Sequence, residues 1–120
     1  MDVTFETSGP ATIISVRGEL DASNVGDFKR QVTPRLETNV KVLFDMSLLR
    51  FIDSSGLGAM ISCLRHTVAS GGELKICCVS KQVMALFELV RMNRVFDIHT
   101  TREEALKAFG QGAGAQAGGH

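Results

Sequence analysis

From residue 11 onward the chain alternates short apolar, β-rich runs with stretches whose apolar residues recur every three or four positions. That alternation restricts the fold more than any other feature, because a strand feeding a helix feeding a second strand implies right-handed crossovers and a parallel sheet. Val40 to Phe44 and Leu74 to Val79 read as strands buried on both faces, and Val95 to Ile98 as a short third one. One helix carries Val25, Phe28, Val32 and Leu36, and a second carries Leu57, Met60, Ile61, Leu64 and Val68. Val83, Leu86, Phe87 and Val90 mark a third, and Ala105, Leu106 and Phe109 a fourth. At the start, Val3 to Thr7 and Ala11 to Arg17 flank the turn cluster Ser8-Gly9-Pro10, which predicts a hairpin. The expected class is α/β, a single domain with a mostly parallel central sheet, an antiparallel N-terminal strand and about four helices.

Local punctuation supports these boundaries. Ser23 or Asn24 can cap the first helix and Ser80 the third; Thr100 with Glu103 or Thr101 with Glu104 fits a capping box for the fourth. Pro34 removes a helical hydrogen bond and clashes with the turn before it, so the first helix should kink or stop near Thr33. Gly71-Gly72 follows the second helix and Gly110 the fourth. At 120 residues and 44% hydrophobic content, one core fits residues 1–109. Residues 110–120, GQGAGAQAGGH, have no large side chain to offset ordering entropy and are expected to form a disordered tail.

Composition excludes several classes of function. Lys plus Arg and Asp plus Glu are 13 each, which leaves no basic surplus for a phosphate backbone, so no nucleic-acid partner is expected. No run approaches the roughly 18 apolar residues of a membrane span, and MDVTFETSGP lacks the basic and apolar regions of a secretory signal. The expectation is a cytoplasmic protein without a membrane partner. Cys63, Cys77 and Cys78 lack CxxC spacing and read as buried free thiols, with Cys77 and Cys78 pointing to opposite faces of a strand.

Asp53-Ser54-Ser55-Gly56 lies where a strand hands over to the second helix, at the end of the sheet where sites collect in α/β folds. Asp53 or Ser54 can cap the first turn, Gly56 and Gly58 keep the surface low, and Leu57 begins the apolar stripe. A helix cap alone explains these residues. A hydroxyl there has one further property, because the positive end of the helix dipole tolerates an added phosphoryl group. The added charge, about 1.5 to 2 negative units, would alter docking more than folding.

Asp45-Met46-Ser47 followed by Phe51-Ile52-Asp53-Ser54-Ser55-Gly56-Leu57-Gly58 resembles the signature of STAS-domain anti-sigma-factor antagonists, bacterial partner-switching regulators. Gly18-Glu19-Leu20-Asp21 resembles the family's opening motif, and the likeness spans residues 2 to 109. The resemblance implies that the unphosphorylated chain binds an anti-sigma factor that is also a serine kinase and thereby releases a sigma factor. It places the phosphoacceptor on Ser54 and the partner-binding surface on Asp21, Asp53, Ser55, Gly56 and Leu57, with a PP2C-type phosphatase resetting the switch. An alternative within the same fold is a STAS scaffold subunit of a lipid or anion transport complex that is not phospho-regulated.

Enzymatic alternatives lack support in the sequence. A nucleophile elbow needs glycine two residues before the serine, where Ile52 stands, and His66 and His99 have no spacing that brings them to Ser54. Nor do His66, His99 and Cys63 have the spacing of metal ligands, and Gly56-Leu57-Gly58 lacks the third glycine of a dinucleotide loop. No catalytic residue, metal or cofactor is expected. Arg91, Arg94 and Arg102 read as solvated cations near helix ends.

Overall fold

The computed structural model describes residues 1–36 and 40–110. Strands β1 (Asp2–Ser8) and β2 (Ala11–Leu20) form the expected hairpin, antiparallel from Asp2 opposite Arg17 to Ser8 opposite Ala11. Strands β3 (Lys41–Asp45), β5 (Glu73–Cys77) and β6 (Asp97–His99) then add in parallel, in the order β1-β2-β3-β5-β6. A further short strand, β4 (Leu49–Ile52), pairs in parallel with the far end of β2, Gly18 to Leu20. The apolar pattern does not predict β4, and it ends the second strand at Arg17, short of the Leu20 observed. Gly18, at φ +91°, sits at the register shift that lets one long strand serve β3 with its first half and β4 with its second.

Four helices cover the sheet: α1 (Val25–Val32), α2 (Ser54–Ala69), α3 (Lys81–Leu89) and α4 (Arg102–Ala108). Pro34 does not kink α1; the helix ends at Val32 and Thr33–Arg35 continue as a 3-10 turn with proline in its first turn. Ser80 caps α3 through the Val83 N–H (3.2 Å), and Thr101 caps α4 through the Glu104 N–H (3.1 Å). Gly110 has φ +77°, the left-handed backbone expected just after a helix, and residues 111–120 of the expected tail lie outside the described residues.

Alternation along the strands splits the core in two. Ile14, Val16, Val42, Phe44, Leu74 and Ile76 face α1, α2 and α3, whose Phe28, Met60, Val83 and Phe87 complete the larger layer. Ile13, Leu43 and Cys77 point the other way, onto Ala105 of α4. Lys75 also lies on that second face, 1% exposed, ion-paired with Asp97 across the β5–β6 ladder. Phe109 lies 5.3 Å from its ammonium. No helix among the described residues is long and apolar enough to cross a membrane.

Candidate functional site

Strand β4 ends at Ile52, and the next residue turns the chain into α2. Asp53 is the N-cap, in extended conformation, and its two carboxylate oxygens do different work. Oδ1 accepts from the Gly56 N–H at 3.0 Å and closes the helix; Oδ2 accepts from the Ala22 N–H at 3.0 Å and ties the turn after β2 to the start of α2. The Asp53 N–H donates to the Leu20 carbonyl at 3.2 Å. The Gly56 N–H, ahead of those of Ala22 and Ser55, holds the Asp53 carboxyl below its ordinary value, so the group stays ionised.

The turn on the other side of this clasp is wired with equal care. Asp21 Oδ1 accepts from the Ser23 N–H (2.9 Å) and hydroxyl, Asn24 Oδ1 accepts from the Asp21 N–H (3.0 Å), and Asn24 Nδ2 donates to the Glu19 carbonyl (2.9 Å). Asn24 therefore holds the N-cap position of α1 but spends its side chain on the preceding turn instead of on the helix. Asp21 and Asp53 meet through this turn, as two sides of one surface.

Ser54 is the first residue of α2 and is exposed. None of the hydrogen bonds found among the described residues uses its hydroxyl, because Asp53 has taken the capping role. Ser55 and Leu57 are half-buried and Gly58 is exposed. A shallow hollow runs from Ser54 along α2, lined by Val25, Lys29, Ser55, Gly58 and Arg65 among others, with Arg65 about three helical turns from Ser54. Gly56 is buried, and its role is steric. A Cβ there would lie 2.6 Å from Ile52 Cγ1, 2.6 Å from the Leu20 carbonyl oxygen and 3.0 Å from Leu20 Cγ, so only glycine lets α2 start this close to β2 and β4.

Sequence reasoning missed the apolar part of this end of the molecule. Leu48 and Phe51 are about half exposed, at 51% and 45%, on and just before β4. The signal was present in the run Leu49-Arg50-Phe51-Ile52, but four residues without turn punctuation do not announce a strand. Two other expectations are corrected. Arg102 is not a free cation: its Nε and Nη2 donate to Asp45 Oδ2 at 3.1 and 2.7 Å, and it also pairs with Glu6. Cys78 does not alternate with Cys77, because its backbone is left-handed at φ +63°. His66 is exposed on α2 while Cys63 is buried on the same helix, and His99 lies on β6, so the three do not converge.

A model of the STAS domain family matches residues 2–105. The anti-sigma-B factor antagonist of Bacillus subtilis is 22% identical over 90 residues, 75% of this chain and 83% of that protein. Among solved structures, an anti-sigma-factor antagonist STAS domain protein from Planctomyces limnophilus superposes with a TM-score of 0.80 at 21% identity, covering 90% of this chain and 97% of that one. The Bacillus cell fate determinant SpoIIAA in its phosphorylated form gives 0.65 at 22% identity, covering 88% and 97%. With hairpin, parallel sheet, four helices and a family match across both, the chain belongs to the STAS domain family.

Proposed function

We propose that this chain is an anti-sigma-factor antagonist whose docking surface is switched by phosphorylation of Ser54. In the unphosphorylated state the turn from Asp21 to Asn24, Ser54, Ser55, Leu57 and the exposed ring of Phe51 form the surface that engages an anti-sigma factor. That partner is itself a serine kinase, and a PP2C-type phosphatase resets the chain. The observation that carries this reading is the division of labour at the α2 terminus. Asp53 satisfies the cap, and the adjacent Ser54 hydroxyl is exposed and uncommitted. The chain contributes a surface and an acceptor; the chemistry of transfer belongs to the kinase.

A phosphoryl group on Ser54 would sit beside the Asp53 carboxylate, which cannot swing aside because both its oxygens are held. The exposed position at the positive end of the α2 dipole lets the free chain carry the charge without losing its fold. A partner shaped to the neutral surface would have to bury it, and like-charge or unpaired-charge juxtaposition in an interface costs several kcal/mol. Binding should fall by about 100-fold or more.

The test is incubation with ATP and the cognate kinase, followed by phosphopeptide mass spectrometry. Ser54→Ala should abolish the modification while retaining kinase binding, and Ser54→Asp should weaken binding. Phosphate on Ser55 or elsewhere in the wild-type chain overturns the assignment. Recovery of transport-complex subunits in place of a kinase, in a pull-down from cells, overturns the functional class.

A further inference from the structure

On the face of the sheet opposite α2, at the carboxyl ends of β3 and β5, three potential ligands converge. One oxygen of Asp45 and the sulfurs of Cys77 and Cys78 all lie within 4.8 Å of one another. Tetrahedral zinc with bonds of about 2.0 to 2.3 Å needs ligand atoms roughly 3.3 to 3.8 Å apart, so small side-chain rotations would close the triangle.

The juxtaposition is not what a strand supplies. Neighbouring residues in a strand point to opposite faces, and Cys77 at the end of β5 should send Cys78 away from it. The left-handed backbone of Cys78 brings the second sulfur back to the side of the first, a conformation unfavourable for a residue with a Cβ. Cys77 is fully buried, Asp45 is 6% exposed, and Cys78 is half-buried, which leaves an approach from the Cys78 side. All three cysteines are free thiols.

We infer that Asp45, Cys77 and Cys78 form a binding site for a thiophilic divalent cation, with zinc the ion that the two-sulfur, one-oxygen donor set favours. Two thiolates and the Asp45 carboxylate carry three negative charges, the ion supplies two positive ones, and the Arg102 guanidinium, shared between Asp45 and Glu6, offsets part of the remainder. Binding therefore replaces the two thiol protons, which leave to solvent, while the carboxylate is ionised throughout. Asp45 Oδ1 accepts from the Ser47 N–H at 2.9 Å, the Ser47 hydroxyl also bonds the carboxylate, and Oδ2 takes both Arg102 donors, so metal ligation takes the place of the Ser47 hydroxyl. Three protein ligands leave a fourth position for water or a small external donor. The site stands apart from Ser54, on the other core layer, and does not depend on the phospho-switch.

Cys63 provides an internal control, since it is buried on the other core layer among α1, α2 and α3, away from Asp45, Cys77 and Cys78. The experiment is titration of the reduced full chain with zinc chloride, following proton release in weak buffer, and with cobalt chloride, following the thiolate-to-cobalt charge-transfer band. The expected result is one ion per chain, two protons released per zinc, and a cobalt band. Cys77→Ser and Cys78→Ser should each weaken zinc binding by more than about 100-fold, beyond what loss of an outer-shell partner costs. Cys63→Ala should leave it unchanged. Wild-type protein supplies a second measurement that needs no variant: zinc should protect Cys78 from alkylation. Absence of the band and of protection at micromolar metal, a band that survives Cys78→Ser in folded protein, or a band lost with Cys63→Ala overturns the proposal.

Discussion

Replacing Gly56 and Gly58 one at a time by alanine separates two roles that look identical in the sequence. Both glycines lie in the first turns of α2, and alanine gains about 1 kcal/mol over glycine within a helix. At Gly58 an added Cβ meets nothing within 4 Å, so the whole gain should appear and stability should rise by up to about 1 kcal/mol. At Gly56 the same methyl is 2.6 Å from the Leu20 carbonyl oxygen, a backbone atom held by the Asp53 N–H and unable to rotate away. Overpacking a tight core site costs about 1 to 3 kcal/mol, and a rigid neighbour puts this case at the upper end. Subtracting the propensity gain leaves a net loss of about 2 kcal/mol. With a denaturant slope of about 1 to 3 kcal/mol per molar urea, Gly56→Ala should lower the unfolding midpoint by about 1 M and Gly58→Ala should raise it by about half as much. Urea unfolding followed by far-ultraviolet circular dichroism measures both. A Gly56→Ala protein as stable as wild type would refute the claim that this glycine exists to let α2 meet β2 and β4.

Asp53→Ala removes the cap and the tie to Ala22 together, and should cost about 1 to 2 kcal/mol in urea unfolding, with faster hydrogen exchange in the turn from Asp21 to Asn24. Asp97→Ala strands the buried Lys75 ammonium and should cost about 3 to 5 kcal/mol, whereas Lys75→Met should stay within about 1 kcal/mol of wild type; thermal unfolding distinguishes them. Burial raises the Asp97 carboxyl, but the hydrogen-bonded Lys75 ammonium and the His99 imidazole, 3.2 Å away, outweigh it and hold the group below its ordinary value. A depressed carboxyl stabilises the fold above its unfolded-state value of about 3.9 and loses that contribution as pH falls through the folded-state value. The stability gap between wild type and Asp97→Asn should therefore shrink as pH falls below about 4 in pH-dependent unfolding.

Where local pattern and tertiary structure agree, the sequence was legible. The hairpin, the mostly parallel sheet and the four helices follow from apolar spacing and strand–helix alternation, and the ends of α1 and α2 follow from Pro34 and Gly71-Gly72, whereas the strand order does not. The misses are residues whose geometry is decided far away in the chain. Strand β4 exists because Gly18 to Leu20 offer it a ladder, and Arg102 is fixed by Asp45, 57 residues earlier. Cys78 carries no glycine or asparagine signal for its left-handed backbone, so alternation was the reasonable expectation and the wrong one. At the α2 terminus the sequence offered Asp53 and Ser54 as rival caps; the structure gives the cap to Asp53 and leaves the Ser54 hydroxyl exposed.

That division is what the proposed switch depends on, and it is tested most directly by affinity. Chain carrying phosphoserine at position 54, installed during translation, should be titrated calorimetrically against the cognate anti-sigma factor beside wild type and Ser54→Ala. The account predicts tight binding for wild type and Ser54→Ala, a loss of about 100-fold or more for the phosphorylated chain, and a melting temperature within a few degrees of wild type for all three. Equal affinity of the phosphorylated and unphosphorylated chains would contradict it, and so would a loss explained by unfolding of the phosphorylated domain.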